Sequence, residues 1–245
     1  MGRILALVYG VISYLVFFLT FLYAIAFVGN CPLVPRTIDT NPHAATLTRA
    51  IIANVILLSI FAIQHSVMAR PSFKRIFTKV IPAAIERSTF VLLSSLALLL
   101  MFCQWRSITS VVWNVQTPAL QFVLWGVFAF GWLMVLLSTF LINHFDLFGL
   151  RQVYLYMKSE EYSPVGFKEI FLYKFVRHPI MLGFIIAFWA TPLMTYGHLL
   201  FAVVTTIYIL VAIQLEERNI AEVHGADYDA YRSRVSMIVP MPPRG

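Results

Sequence analysis

Five long runs without a charged residue dominate this chain of 245 residues. Each run can hold a helix of the roughly 20 residues that cross the hydrocarbon core of a bilayer. The composition agrees, since 60% of the residues are hydrophobic and only 12% are charged, which excludes an ordinary soluble domain. The sequence therefore predicts an integral membrane protein. The charge-free runs cover residues 4–35, 50–69, 88–105, 107–145 and 178–215.

The last run is too long for one ordinary span, and Pro192 and Gly197 favour a turn near its middle. The predicted fold is therefore all-α, a bundle of about six transmembrane helices with a short helical cytoplasmic tail at the C-terminus. The last two helices form a tight helical hairpin. We expect one domain over residues 1–245, with four helices in 1–142 and a loop, the hairpin and the tail in 143–245. The predicted spans are 4–29, 50–69, 88–105, 119–142, 179–195 and 198–215.

Lysine and arginine are distributed unevenly between the predicted loops. If the N-terminus is cytoplasmic, fifteen of the 18 basic residues lie on the cytoplasmic side, as the positive-inside rule requires. We therefore expect a multi-pass protein, in a bacterial inner membrane, with both termini cytoplasmic. The first helix should remain uncleaved, because its apolar stretch exceeds that of a typical signal peptide. The net charge of +7 needs no nucleic-acid partner to explain it.

The two cysteines, Cys31 and Cys103, fall near the outer ends of their predicted spans. They could form a disulfide or remain two unpaired thiols in apolar surroundings, and the sequence leaves both possibilities open. Their spacing is not that of a metal site, and we expect no metal. The oligomeric state is not predicted either.

Polar residues within or beside the spans gather at the predicted cytoplasmic ends. Ionisable groups at membrane depth are costly, and they mark functional sites when they face the interior of a bundle. A simpler explanation for each cluster alone is interfacial anchoring, because arginine extends to the headgroups and histidine tolerates them. Four clusters on one side favour a functional site. The clusters are Gln64 and His65, the sequence NHFD at 143–146, Arg177 and His178, and residues 216–218.

The sequence RHP places Arg177 and His178 at the N-terminus of the fifth predicted helix, because Pro179 is suited to a first helical turn. That end of a helix attracts anions. Glu216 and Glu217 lie at the far end of the hairpin, where lipid would reject them unless they are wet or paired. Either these glutamate and arginine side chains pair with each other and stabilise the hairpin, or they line a pocket for a polar, charged cofactor. The tail adds Tyr228 and Tyr231, which share one face of a short helix, with Arg232 beside them.

The segment 173–240 resembles the cofactor-binding half of the isoprenylcysteine carboxyl methyltransferase superfamily of membrane enzymes. The resemblance rests on RHPIMLG, a long apolar hairpin, and then EERNIAEVHGADYDAYRSRVSMIVP. The N-terminal part is similar to a narrower branch, the membrane-bound methanethiol S-methyltransferases. That similarity rests on IQHSVMARPSFKR at 63–75, ERSTFVLLSSLALLL at 86–100 and NHFDLFGLRQVYLYMK at 143–158.

The superfamily implies S-adenosylmethionine as the methyl donor, S-adenosylhomocysteine as its product and a cofactor site within residues 143–245. The branch implies methanethiol as acceptor and dimethyl sulfide as product. Met181 stands where the superfamily often has tyrosine. We also expect acceptor contacts from Gln64, His65, Arg151 and Gln152. The resemblance implies cofactor contacts from Tyr173, Arg177, His178, Pro179, Leu182, Gly183, Glu216, Glu217, Arg218, Tyr228, Tyr231 and Arg232.

A base helps the methylation of a thiol, because the thiolate is the good nucleophile and even a cysteine thiol, with a pKa of about 8.5, is mostly protonated at neutral pH. His144 and Asp146 could form a paired catalytic base, and His65 could approach them from the second helix. Alternatively, His144 and Asp146 only cap a helix end.

Two other functions remain open. The chain could methylate another membrane-soluble acceptor, such as an isoprenylcysteine carboxylate or a lipid. It could also be a non-catalytic membrane protein of the same fold.

Overall fold

The computed structural model describes residues 2–43, 45–164, 166 and 169–241, without the side chains of residues 223 and 224. Five helices in this part of the chain are long and apolar enough to cross a membrane, and a shorter apolar helix accompanies them. The predicted class, an all-α integral membrane bundle that crosses the membrane several times, is confirmed. The helices are α1 (Arg3–Val28), α2 (Leu47–Ala69), α3 (Pro71–Phe77), α4 (Ala83–Gln104), α5 (Pro118–Ile142), α6 (His144–Leu147), α7 (Leu150–Lys158), α8 (Pro179–Trp189), α9 (Tyr196–His224) and α10 (Ala226–Arg234).

The first four predicted spans correspond to α1, α2, α4 and α5 within five residues at each end. Their large apolar side chains are often exposed: Ile4 is 73% exposed, and Leu19 and Phe122 are 64% and 81% exposed. In water such surface would drive aggregation. In a bilayer it faces lipid, so length and surface together fit transmembrane helices.

The last two predicted spans differ from the structure. The fifth was expected over 179–195, but α8 ends at Trp189 and contains 11 residues, which extend about 16 Å at 1.5 Å per residue. That length is about half of a bilayer's hydrocarbon core, so the count of six complete spans is not confirmed. The sixth was expected to end at residue 215, but α9 continues to His224. The acidic cluster at 216–218 therefore lies inside α9 rather than at its end.

A small antiparallel sheet occupies the place of the predicted tight turn. Strand β1 (Val111–Asn114) pairs with β2 (Leu193–Thr195), which immediately precedes α9. The Trp113 indole N–H donates to the carbonyl of Thr191 at 3.0 Å. We did not predict either strand, because each is too short to show an alternating pattern within an apolar sequence.

The chain divides into two compact units. The first contains Met1–Ser110 and Asn143–Val165, and in it α4 packs against α1 and α2 while α7 packs against α1. The connection between α6 and α7 turns at Gly149, whose φ of 87° is a left-handed conformation that favours glycine. A Cβ there would also lie 2.7 Å from the backbone nitrogen of Ser88. This turn holds α7 close to the start of α4.

The second unit contains Val111–Ile142 and Gly166–Gly245. Its main contact is between α5 and α8, which approach each other at two glycines. A Cβ on Gly131 would lie 2.8 Å from the carbonyl oxygen of Gly183, and one on Gly183 would lie 2.7 Å from that of Gly131. Small residues at this contact allow the two backbones to touch, as in other membrane helix pairs. The division of the chain into domains stays a prediction.

Both cysteines are free thiols in the structure, Cys31 half-buried and Cys103 exposed. The carbonyl of Cys103 accepts hydrogen bonds from the guanidinium of Arg36 and from Nε2 of His43, the latter at 3.0 Å.

Candidate active site

In the second unit, Arg177 ties the start of α8 to the tail that follows α10. Its Nε donates to Oε1 of Glu217 at 2.7 Å, and its Nη1 donates to the backbone carbonyls of Arg232 and Val235. The backbone makes the same connection, because the N–H of Arg177 donates to the carbonyl of Ser236 at 2.8 Å. These contacts fit the simpler of the two roles considered for these charges, a structural brace for the tail, and the predicted cofactor contact of Arg177 stays a prediction.

His178 and two glutamates complete this network. Nε2 of His178 lies 3.0 Å from Oε1 of Glu217, whose side chain is only 4% exposed. Glu216 points more outward, with 49% of its side chain exposed and a 3.8 Å approach to Nδ1 of His178. Arg232 approaches Glu217 at 3.6 Å and is 52% exposed. Two charged side chains at the edge of the network, Glu216 and Arg232, therefore remain accessible to a ligand.

The tail tyrosines are buried, as their shared helix face suggests. Tyr228 and Tyr231 are 1% and 2% exposed and pack with Val235. The Tyr231 hydroxyl donates to the carbonyl of Tyr173 at 2.6 Å. Burial, with a smaller contribution from Glu217, raises the pKa of Tyr228 to about 12, and burial also raises the pKa of Tyr231 and of Tyr173. All three are neutral at physiological pH and hold α10 in place.

The remaining predicted cofactor residues have mixed surroundings. Pro179 is buried in the first turn of α8, as expected, and Leu182 is half-buried. Gly183 makes its close backbone approach to Gly131 of α5, and its predicted approach to a cofactor stays a prediction. Arg218 is exposed on α9.

In the first unit, His144 begins α6 and is 5% exposed. Its Nε2 lies 2.9 Å from the hydroxyl of Tyr14 in α1, and its ring meets those of Tyr14 and Phe148 edge-on. Burial lowers the pKa of His144, so the imidazole is neutral at pH 7 and can accept a proton. This is the state that a general base requires.

Asp146 does not form the hydrogen bond to His144 that the sequence suggested. Among the described residues its carboxylate contacts Arg151 at 2.9 Å and the hydroxyl of Tyr162 at 3.2 Å, while its backbone carbonyl accepts from Gln152 at 3.0 Å. The helical turn explains the difference, because residues two apart in a helix do not face each other. Asn143 caps this turn by accepting from the N–H of Asp146. The structure brings together Arg151, Gln152 and Asp146 in a polar cluster in which the Asp146 side chain is not hydrogen-bonded to His144.

His65 lies on the far side of an aromatic cluster from His144. Its ring centroid is 4.9 Å from that of Phe90, and its Nδ1 lies 3.2 Å from Oγ of Ser94. Phe90 and Phe148 belong to one hydrophobic cluster, and Phe148 contacts His144. Gln64, the neighbour of His65, donates to the sulfur of Met68, while its buried Oε1 has no partner among the described residues.

Sequence reasoning missed several polar residues of the first unit. Tyr14 is one of three tyrosines in the apolar helix α1, and only the fold shows that it contacts His144. Tyr162 follows α7 in a segment without a periodic pattern. Lys74 and Glu86 stand within motifs that carry the family resemblance, so their presence was visible but no chemistry was assigned to them.

Comparison with known proteins places the chain among membrane methyltransferases. The NnrU protein family matches residues 54–237. The methanethiol S-methyltransferase of Mycobacterium tuberculosis is 55% identical over 244 residues, covering 100% of this chain and 99% of that protein. The enzyme of the same name from Crocosphaera subtropica is 51% identical, covering 98% and 93%. Methanethiol S-methyltransferase 1 of Bradyrhizobium diazoefficiens is 53% identical, covering 97% and 83%. No solved structure matches the chain.

Proposed function

Since the chain belongs to the NnrU protein family and to the methanethiol S-methyltransferases, we propose that it transfers a methyl group from S-adenosylmethionine to methanethiol and forms dimethyl sulfide. The identity of 45–55% with six enzymes of that name, over nearly the whole chain, supports the acceptor. The observation that carries the proposal within the structure is the buried His144, whose Nε2 lies 2.9 Å from the hydroxyl of Tyr14.

The accessible charges of the second unit fit a ligand with several polar groups. When bound, S-adenosylmethionine supplies an electrophilic methyl group on a sulfonium. The half-exposed Glu216 carboxylate can accept hydrogen bonds from ribose hydroxyls, and its neighbour Glu217 is held by Arg177 and His178. Because Glu217 is held by Arg177 and His178 in the ligand-free structure, this part of the network does not need to be ordered on binding. Metal ligation is not required for this chemistry.

His144 takes the thiol proton in the proposed reaction. A neutral imidazole accepts a proton, whereas an imidazolium cannot, and burial keeps the pKa of His144 low. Tyr14 positions the ring, and the edge-on contact with Phe148 restricts its rotation. Asp146 supports the adjoining cluster through Arg151 rather than acting on His144. His65 remains a second candidate base, separated from His144 by the aromatic cluster.

A membrane location suits this acceptor. Methanethiol is small and apolar, so it can reach the protein from the bilayer. We propose the bacterial inner membrane with both termini cytoplasmic, on the basis of the fifteen basic residues predicted on that side. Methyl transfer would then occur at the cytoplasmic face.

The direct test is a gas-phase assay. Purified protein in lipid nanodiscs receives S-adenosylmethionine with a deuterated methyl group and methanethiol, and headspace mass spectrometry follows labelled dimethyl sulfide. A parallel reaction offers a farnesylated cysteine in place of the thiol. Labelled dimethyl sulfide in the first reaction supports the proposal. Label in the farnesylated compound alone, or in neither product, contradicts it.

A further inference from the structure

A cavity of about 430 Å³ lies within the first unit, between α3, the start of α4 and the segment from α6 through Tyr162. This volume is typical of a site for a small molecule. Methanethiol has two heavy atoms and would leave most of it empty. The cavity therefore suits a larger ligand than the proposed acceptor. Its polar lining includes Lys74, Glu86, Arg87, Asp146, Gln152 and Tyr162.

Two of the charged lining residues are already engaged by the protein. Asp146 is paired with Arg151 at 2.9 Å. Arg87 donates from Nε to the carbonyl of Leu147 at 2.7 Å, and its guanidinium lies 5.0 Å from the ring centroid of Phe90. These contacts fix one wall of the cavity and leave other charges to a ligand.

Lys74 and Glu86 are both half-buried, and neither forms an ion pair at contact distance with any described residue. Burial lowers the pKa of Lys74, and the nearby Arg87 lowers it further while Glu86 raises it. A half-buried ammonium without a contacting anion is poorly solvated, and a carboxylate from a ligand would stabilise it. The cavity thus offers one cation and one carboxylate that do not form an ion pair at contact distance with each other.

Two buried oxygen atoms on the lining residues have no hydrogen-bond partner among the described residues. They are Oε1 of Glu86 and Oε1 of Gln152. Buried acceptors are satisfied in nearly all proteins. Both of these oxygens belong to residues that line the same cavity, so a donor that enters the cavity could satisfy them. An ammonium group has three N–H donors and no acceptor, and it matches both oxygens.

We propose that this cavity binds the zwitterionic group of an α-amino acid, with Lys74 contacting its carboxylate and Glu86 and Gln152 contacting its ammonium. This group carries a carboxylate, with two negatively charged oxygens, and an ammonium, with three N–H donors, on adjacent carbons. An inorganic anion would leave the acceptors of Glu86 and Gln152 unsatisfied, and a simple cation would leave Lys74 unpaired. Glu160 lies exposed at the rim of the cavity.

Two sources carry this group. One is the amino-acid end of the methyl donor and of its product, and only this source rests on the proposed function. The other is a free amino acid. Three probes separate them: S-adenosylhomocysteine carries the group, 5′-methylthioadenosine carries the nucleoside without it, and L-methionine carries the group without the nucleoside.

The experiment measures the affinity of the three probes by calorimetry on the full chain in nanodiscs. Lys74→Met and Glu86→Gln each remove one charge from the cavity with little change of size. Lys79→Met and Glu161→Gln are matched controls at exposed positions outside the lining. Lys74→Arg keeps the positive charge and should retain most of the affinity. Thermal unfolding identifies any variant that fails to fold, and if Lys74→Met fails, Glu86→Gln carries the comparison.

We expect both cavity variants to weaken S-adenosylhomocysteine binding by about tenfold to a hundredfold, the loss of one charge-assisted hydrogen bond, without changing the affinity for 5′-methylthioadenosine. A loss seen with L-methionine alone also supports the proposal and assigns the site to a free amino acid. Equal losses for the two nucleoside probes, unchanged affinity for every probe, or a parent that binds neither amino-acid probe would overturn it.

The dimethyl sulfide assay keeps the two proposals separate. A protein that forms dimethyl sulfide while the cavity variants bind all probes normally has the proposed function without the proposed cavity site. A protein that forms none, yet binds L-methionine in a manner sensitive to Lys74→Met and Glu86→Gln, has the cavity site without the proposed function.

Discussion

The hydroxyl of Tyr14 lies 2.9 Å from Nε2 of His144, which joins the middle of α1 to the start of α6. A histidine buried at 5% exposure among aromatic rings would otherwise have fewer polar contacts to fix its orientation. The pair gives the proposed base a defined position, in the way that a second residue orients the histidine of other catalytic groups. Asp146, the expected partner, is instead bound to Arg151.

Replacing Tyr14 by phenylalanine should lower kcat for dimethyl sulfide formation about tenfold, because the ring of His144 loses one hydrogen bond but remains enclosed. Tyr9→Phe is the matched control, since Tyr9 lies in the same helix and donates its hydroxyl to Thr89 at 3.0 Å. Steady-state rates with saturating donor provide the measurement. Equal losses for Tyr9→Phe and Tyr14→Phe would mean that the effect is on helix packing.

Replacing His144 by alanine should slow methyl transfer by roughly 10² to 10⁴, the usual contribution of a positioned base. The parent rate should fall as the pH drops through the lowered pKa of His144, because the protonated ring cannot accept the thiol proton. The deficit of His144→Ala should shrink at alkaline pH, where solution supplies thiolate. A pH–rate profile of both proteins, with His65→Ala beside them, measures this. A deficit that stays constant across the pH range would exclude His144 as the base.

Arg177 and Glu216 should give different results although they lie in one network. Arg177→Ala leaves the buried Glu217 carboxylate without its main partner, and breaking such a pair costs about 3–5 kcal/mol. We therefore expect a lower unfolding temperature and easier proteolysis of the tail. Glu216→Gln should leave stability unchanged and weaken S-adenosylhomocysteine binding about tenfold.

The measurements for this pair are thermal unfolding and calorimetry, with Glu222→Gln as the control, because Glu222 is an exposed glutamate of the same helix that is not among the predicted cofactor contacts. If Arg177→Ala folds with parental stability and loses only ligand affinity, Arg177 binds the donor rather than bracing the tail.

Gly183→Ala should destabilise the protein by about 1–3 kcal/mol, because its new Cβ would lie 2.7 Å from the carbonyl oxygen of Gly131 in an inflexible backbone contact. Gly126→Ala is the matched control in α5, where a Cβ meets no atom within 4 Å. Alanine favours a helix over glycine, so this control should be neutral or slightly more stable. Denaturant unfolding in mixed micelles compares the two. Equal stability of the two variants would show that α5 and α8 can separate.

Reporter fusions after Arg106 and after Arg244 should report opposite sides of the membrane, with the second one cytoplasmic. Fifteen of the 18 basic residues lie on the predicted cytoplasmic side, and the positive-inside rule orients the chain accordingly. The 11 residues of α8 make this measurement informative, since a helix too short to cross would change the number of crossings. The same side for both fusions would refute the predicted topology.

The sequence was sufficient to predict the four long N-terminal spans, because continuous apolar runs bounded by arginine have a direct physical meaning in a bilayer. It was insufficient for the segment after Pro179. There, α8 is apolar to Trp189 and the residues beyond are apolar too, so hydropathy alone cannot distinguish a helix from the strand Leu193–Thr195. The end of α9 was also missed, because a helix that leaves the membrane can continue through Glu216 and Glu217.

Within the candidate site, sequence reasoning identified residues better than it identified partners. It selected Arg177, His178 and Glu217, which do form one network. It paired His144 with Asp146 because they are close in sequence, whereas the partner of His144 is Tyr14, 130 positions away. A contact between distant segments depends on helix packing, for which a single apolar sequence carries little information.

The sheet between β1 and β2 has a consequence for biosynthesis. Val111 pairs with Thr195, so all of α5 and α8 must be synthesised before the first strand meets its partner. A chain delivered to the membrane from its N-terminus therefore carries the segment VVWN with an unpaired edge during that interval, when such edges can join with those of other chains. Ribosome-stalled chains that end before residue 193 should consequently need an insertion factor or chaperone for longer than chains that include it.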